Sequence, residues 1–341
     1  MIEFREARPQ DDAQLTQLVG SPMPGNLSLA FCREPSYLES CVSCGPIRRV
    51  LTAVEGETVV ALCSFFLREY QWAGQARQVW TLSDFRAVPE QAGRSITGRG
   101  WTAIRSLLDG RPAMISVLRD NQRALKLFSK PRPGWPRLAP IGDLCTNITP
   151  LWKWPRVSHP HSVRVLDQAE VADFVNGSKE ALSPLVDPND FGTVLPPAQR
   201  FWGVFGNDGR LVGCAGLSES GNFRQVKIHS YAGFYGKLHL IGRYLGLPML
   251  PEPGSKVRLS TACLLHCPQP GPFRALFDRL KAEAQAVGSK FLVWCRGGDD
   301  PTWPWDRLRF RYHSRLYQLL WEGDQPLPQL SSPLGYEVAW L

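Results

Sequence analysis

Residues Val88 to Trp101 read VPEQAGRSITGRGW, and the residue types gathered there suit an anion. Three glycines (Gly93, Gly98, Gly100) and two arginines (Arg94, Arg99) stand between an apolar strand ending near Ala87 and Val88 and an apolar helix starting close to Ile96–Gly98. Glycine is poor in both elements. Free backbone N–H groups at a helix start, with the positive end of the helix dipole, attract a phosphate. Bare glycines let the ligand approach, and the arginines add charge. A flexible surface turn whose glycines merely permit tight geometry is the other reading, and composition leaves both open. No Gly-Lys-Ser/Thr follows, so this is not a Walker loop. A hairpin precedes it rather than a parallel βαβ unit, so it is not a dinucleotide fingerprint either.

Other reactive side chains are scattered. Nine cysteines include several in apolar runs (ALCSFF, VGCAGL, FLVWC), where cysteine acts as a small hydrophobe. CVSC (Cys41, Cys44) has the spacing of half a zinc site or a redox pair, but no second CxxC exists, and reduced structural thiols without a metal are expected. His266 at a strand end reads as a hydrogen-bonded structural residue, with a catalytic role as the rival. Cys295 shows no paired base that would make it a nucleophile. His229, Tyr231 and Tyr235 fall in a loop-like, aromatic stretch suited to lining a cleft, and Tyr312–Tyr317 could supply a tyrosine acid or a core strand.

These groups are positioned by two runs of elements in the same order. IEFREARPQDDAQLTQLV and SVRVLDQAEVADFV each read as a strand, a turn and a helix, the second capped by Asp167 with Val171, Phe174 and Val175 on one face. VLTAVEGETVVALCSFFL and FWGVFGNDGRLVGCAGL read as hairpins turning at Glu55-Gly56-Glu57 and Asn207-Asp208-Gly209. Each half then offers strand, helix, strand. In the first, Trp101, Ile104, Leu107 and Leu108 share a helix face, and a later helix starts at Asp120-Asn121. Proline-rich KPRPGWPRLAP and LWKWPRVSHPHS are expected to be irregular. The second marks the boundary between units at 1–155 and 156–341, and duplication explains the repeated order.

With 341 residues, 43% of them hydrophobic, the chain exceeds one ordinary core. The net charge is +8, and eight Lys/Arg (Arg105, Arg111, Arg119, Arg123, Lys126, Lys130, Arg132, Arg137) face Asp109, Asp120 and Asp143 across residues 101–150. That excess suits phosphate, nucleotide or RNA, or else a solvated helix face. No basic run with interleaved aromatics argues for nucleic acid, which is not expected as a partner. No apolar stretch approaches the ~18 residues of a membrane span, and the polar start MIEFREARPQDD is unlike a secretory signal. A cytoplasmic chain with no membrane partner is the expectation.

FRAVPEQAGRSITGRGW resembles the acyl-CoA signature of the GNAT N-acetyltransferase superfamily, through Ala87, Pro89, Glu90 and Gly93. RDNQRALKLFSK resembles the family's later motif through Asn121, Ala124, Leu127 and Lys130, and one helix and one strand separate the two motifs as in the family. FREARPQDD is similar to a typical first strand and turn. The resemblance covers most of residues 1–150. The second half matches in element order and in its ending, RLYQLLWE…YEVAWL, so the whole resembles a tandem GNAT protein.

The resemblance implies an α+β fold of two GNAT-like domains, each a mostly antiparallel, splayed central sheet flanked by helices. It implies acetyl-CoA or another acyl-CoA as co-substrate and no metal. The backbone around Phe85, Ala87 and Val88 would pair with the pantetheine arm. Gly93, Arg94, Ser95, Ile96, Thr97 and Gly98 would hold the pyrophosphate, with Asn121 and Phe128 completing the site. An amine of a small molecule, amino acid or peptide would attack the thioester directly, and Asp84, Glu69 and Tyr70 are the candidate bases. This sequence departs from the pattern: Ala92 replaces the usual Arg or Gln, Ser95 and Thr97 replace glycines, and Phe128 fills the slot of a proton-donating tyrosine. The second half lacks the loop; Gly271 follows its strand among prolines. The implied activity is an acyl-CoA-dependent N-acyltransferase, with a homodimer compatible. The rivals are a non-catalytic acyl-CoA-binding regulatory protein and an RNA-associated protein.

Overall fold

The computed structural model describes residues 1–22, 27–45, 47–89, 96–128, 132–151, 158–178, 182–189, 198–219, 224–244, 250–296, 302 and 309–330. The first half runs β1 (Ile2–Glu6), α1 (Asp12–Val19), β2 (Leu27–Cys32), α2 (Tyr37–Ser40), β3 (Ile47–Glu55), β4 (Thr58–Trp72), β5 (Gln75–Ala87), α3 (Ile96–Leu107), β6 (Ala113–Leu118), α4 (Gln122–Phe128) and β7 (Arg137–Pro150). The second runs β8 (Ser162–Leu166), α5 (Gln168–Asn176), β9 (Leu182–Pro184), β10 (Ala198–Phe205), β11 (Leu211–Ser218), β12 (Gln225–Tyr231), α6 (Gly233–Tyr244), β13 (Lys256–Val257), β14 (Leu259–His266), α7 (Pro270–Ala286), β15 (Phe291–Arg296) and β16 (Phe310–Leu320).

Strands that are apolar on both faces fold only as the middle layer of a sandwich. In β4, Leu62 and Phe66 pack with Leu15 and Leu18 of α1 and Tyr37 of α2. The alternating residues Cys63, Phe65 and Leu67 pack with Trp101 and Ile104 of α3 on the other face. Trp101, Ile104 and Leu108 are buried as their helical spacing anticipates. In α5 the Asp167 side chain accepts from Glu170 N (2.8 Å) and the Glu170 side chain accepts from Asp167 N (3.1 Å), a reciprocal cap that launches a helix burying Val171 and Val175.

Among the described residues one thirteen-stranded sheet passes through both halves in the order β1-β3-β4-β5-β6-β16-β7-β15-β14-β11-β10-β8, with β9 alongside β4. The expected hairpins β3–β4 and β10–β11 are both antiparallel. The strand order at the centre was not legible in the sequence. β16, from the second half, lies between β6 and β7, and β7, from the first, pairs on its other side with β15. A small sheet, β13-β12-β2, also joins first-half and second-half strands. The last four residues of KPRPGWPRLAP are regular despite its prolines, because β7 begins at Arg137 and runs through Pro140. Pro140 lies opposite Tyr317 at a register shift, where a missing N–H is tolerated.

Candidate active site at the parting of two parallel strands

β5 and β6 run parallel from the Trp80–Ala113 rung to the Leu82–Ile115 rung and then part. β5 continues to Ala87, paired among the described residues only with β4, while β6 turns its other edge to β16, Leu118 standing opposite Ser314. The parting coincides with a bulge: the β4–β5 register shifts between Leu62 and Ser64, and Asp84 adopts φ 51°. An extra residue on one strand bends it away from its neighbour. Among the described residues the N–H and C=O groups of Ser83–Ala87 on that side have no strand to bond, a ready edge for an extended ligand. Across the opening, β16 extends past the end of β6 as Phe310–Tyr312, flanked there by β7.

The second half repeats this device. β14 and β15 are parallel from Leu259–Phe291 to Thr261–Val293, the β11–β14 register shifts between Cys214 and Gly216, and Leu264 adopts φ 47°. The chemistry differs. Leu264 takes the place of Asp84, and Gly216 that of Ser64. A Cβ on Gly216 would come within 2.6 Å of Phe201 Cε1 and 2.8 Å of Cys263 Sγ, so this bulge is packed solid with apolar groups. Helix α7 starts with Pro270 and Pro272, which bring no N–H to its first turn.

Around Asp84 the first half builds a buried polar cluster. Arg33 donates to the Asp84 carboxylate at 2.8 Å, Tyr37 Oη at 3.2 Å and Ser64 Oγ at 3.4 Å, while Ser64 Oγ lies 2.9 Å from Ser83 Oγ. The ion-pair side chains are 4% and 12% exposed. Burial alone would raise the Asp84 carboxyl, but the guanidiniums of Arg33, Arg224 and Arg86 outweigh it and hold it below the usual carboxylate range. Arg224, from the second half, also donates to Cys44 Sγ. Burial pushes the Cys41 thiol up to about 12 and the Tyr37 phenol well above its ordinary value. Cys41 and Cys44 are buried free thiols, and no group of three or more His, Cys, Asp or Glu among the described residues is placed to hold a metal.

The anticipated site residues do not all converge. Asp84 lies in the bulge, but as a locked anion. Glu69 is exposed, opposite Gln78. Tyr70 is buried on the Asp84 face, its hydroxyl 3.2 Å from Thr81 Oγ1, next to the β9 edge and away from the opening. Phe85 points to the α3 face and stacks on Trp101 (5.4 Å, 17°), and Trp101 meets Phe128 edge-on, as Phe128 meets Trp135. Phe128 thus belongs to an aromatic row. Ala87 pairs with Ala61, and Val88 donates its N–H to Val60 O (2.9 Å). Ile96 is buried against Ala53, Val60 and Ala61 at the first turn of α3, with Thr97 and Gly98 following. Asn121 Oδ1 caps α4 by accepting from Ala124 N at 3.0 Å. Gly93, Arg94 and Ser95 lie outside the described residues.

Two features of the glycine-rich stretch have structural explanations. Gly98 faces Trp135, whose Nε1 would lie 3.2 Å from an added Cβ, and Gly100 faces Phe4 at 3.4 Å, so both serve close packing within α3. Arg99 donates to Ile2 O (2.6 Å) and lies over the Phe4 ring, so it is engaged at β1 rather than held for an anion. In the basic stretch that follows, Arg105, Arg111 and Arg119 lie beside Asp324, Asp109 and Asp143.

Sequence reasoning missed Arg33 and Arg224, which follow or precede strands of the small sheet with no local signal of a shared partner. It left Tyr312–Tyr317 between a tyrosine acid and a core strand, and the stretch lies in β16. Leu316 belongs to the core on the face of Met114 and Tyr70, and the regular register from Leu316 back to Phe310 puts Tyr312 on that same face. Ser64 shares the parity of Tyr70 on β4, so Asp84 and Tyr312 stand on one face of the opening. The Tyr312 hydroxyl is buried without a hydrogen-bond partner among the described residues, and burial with the neighbouring Tyr235 pushes it up to about 12. His229 and Tyr231 lie in β12 and Tyr235 in α6, all in regular structure. His266 is buried at the end of β14.

No protein-family model and no curated protein sequence matches the chain. Solved structures do. Saccharomyces cerevisiae N-myristoyltransferase with bound myristoyl-CoA superposes with a TM-score of 0.58 at 9% identity, covering 93% of this chain and 78% of the yeast one. An Enterococcus faecalis V583 protein described as a "Probable N-Acyltransferase" gives 0.51 at 9% identity, covering 93% of this chain and 72% of that one. At such identity the likeness is one of architecture: this chain shares with the yeast N-myristoyltransferase a mixed α/β fold built on a large, mostly antiparallel sheet flanked by helices.

Proposed function

We propose that the chain is an acyl-CoA-dependent N-acyltransferase whose first-half opening receives the acyl donor. The observation that carries this reading is the bulged, parting β5–β6 edge followed in sequence by α3. The free edge of Ser83–Ala87 would hydrogen-bond an extended pantetheine arm, and the first-turn N–H groups of α3 would face a pyrophosphate. The glycine-rich signature, and the myristoyl-CoA bound by the yeast neighbour, support an acyl-CoA as donor, acetyl-CoA being the simplest. The apolar bulge and proline-started α7 favour a different task for residues 156–341, shaping the acceptor pocket against residues 1–155. The acceptor is a primary amine of a small molecule, amino acid or peptide, met in the cytoplasm.

The amine nitrogen attacks the thioester carbonyl. A C–N bond forms, the C–S bond breaks, the nitrogen loses a proton and the departing sulfur gains one. Asp84 is too strongly held as an anion to be an effective base near neutral pH, and it suits orienting the amine through a hydrogen bond. Tyr312 stays protonated through the neutral range and faces the same side of the opening, so its hydroxyl takes the acid role that Phe128 cannot fill.

Titration calorimetry with acetyl-CoA and longer acyl-CoA, followed by thiol release across an amine panel, tests the reading. Gly93→Glu is expected to weaken donor binding about tenfold or more, with Gly271→Glu leaving it nearly unchanged. Equal losses would place the donor elsewhere, and binding without turnover on any amine would favour a regulatory acyl-CoA sensor.

A further inference from the structure

Helix α6 is amphipathic the wrong way round for a soluble surface. Leu240, Ile241 and Tyr244 are 66%, 54% and 91% exposed. At 100° per residue they share one arc of the helix with Lys237, and Arg243 borders it. Lys237 and Arg243 are exposed too, and the helix has no acidic residue. The opposite side makes the protein contacts: His239 stacks on Tyr231 at 5.0 Å, Tyr235 meets Phe310 at 5.7 Å, and Gly242 is buried. The helix is therefore anchored from behind while its outward face mixes aliphatic, aromatic and cationic groups.

We propose that this face seats the protein on an anionic lipid bilayer. Leu240, Ile241 and Tyr244 enter the boundary between headgroups and acyl chains, and Lys237 and Arg243 meet lipid phosphates. An apolar strip flanked by cations is the arrangement that interfacial helices use. A second copy of the chain fits less well. A two-fold contact would gather Lys237 and Arg243 of both copies into one interface with no acidic residue on the helix to offset them, and three apolar side chains fall well short of the ~800 Å² per partner of a stable interface. That no described helix is long and apolar enough to cross a membrane bears on spanning, not on lying at the surface.

Flotation of the full chain with phosphatidylcholine vesicles, with and without about 30% phosphatidylserine, tests this. The expected result is binding to the anionic vesicles that weakens as salt rises. Leu240→Glu/Ile241→Glu should lower it about tenfold or more, and Lys237→Glu/Arg243→Glu should remove its salt-sensitive part. All four positions are exposed, so unchanged circular dichroism is expected for both variants. Absence of wild-type binding at low salt would overturn the proposal, as would undiminished binding by Leu240→Glu/Ile241→Glu. So would a wild-type dimer in sedimentation velocity that the same variant dissociates while vesicles are ignored.

Discussion

Asp84 is one residue on which several readings meet. A carboxylate at the end of a strand before a glycine-rich stretch looks like a base, yet the guanidiniums around it lower its affinity for a proton. Arg33 supplies the contact that makes burial tolerable, and removing one member of a buried pair leaves the other charge uncompensated. Arg33→Gln should therefore destabilise the protein by about 3–5 kcal/mol in urea unfolding at neutral pH. The sign with pH follows from the direction of the shift. A carboxyl held low in the fold contributes stability that is complete above its unfolded pKa and is lost as pH falls through the folded one. The deficit of Arg33→Gln should accordingly shrink on acidification, and a deficit constant with pH would mean that Arg33 acts through packing alone. Tyr312→Phe should leave acyl-CoA affinity unchanged and lower turnover about 10²-fold. Equal activity of the variant in single-turnover thiol release would remove Tyr312 from the reaction.

At the scale of elements, the two bulges show how one backbone device is filled in two ways. The hairpins, the α5 cap and the buried face of α3 were legible because each is written locally: turn residues between alternating strands, Asp167 three before Glu170, apolar residues three and four apart. Gly93's stretch was legible only as composition. Nothing local marks Gly98 as facing Trp135, or Arg99 as reaching Ile2, because both partners are distant in sequence. The positive φ of Leu264 was equally hidden, since leucine rarely adopts it, and that of Asp84 went unread although aspartate is enriched in that region. Gly216 illustrates what that hidden geometry demands. Gly216→Ser would restore the residue found at the matching place in β4, but its Cβ would collide with the Phe201 ring, so destabilisation of about 1–3 kcal/mol is expected in chemical unfolding. Asp167→Ala, which removes the cap of α5, should lower stability by about 1 kcal/mol on the same measurement.

For the whole molecule, the element order foretold two similar units, but not how they are tied together. Pairing between β16 and β6 joins residues about two hundred positions apart, and no local pattern specifies such a register. Its energetic consequence is direct. Leu319 and Trp321 complete the core beneath α3, and Leu316 joins the core on the opposite face, so the first half borrows apolar side chains from the end of the chain. Without β16, strands β6 and β7 would present two long unpaired edges and a cavity where those side chains sat. A chain of residues 1–155 should therefore lack a cooperative calorimetric transition and show weak near-ultraviolet dichroism, while the full chain unfolds in a single transition. A fragment that melts cooperatively near the full-length temperature would mean that the first unit closes its own sheet, and that the strand insertion joins two halves already stable apart.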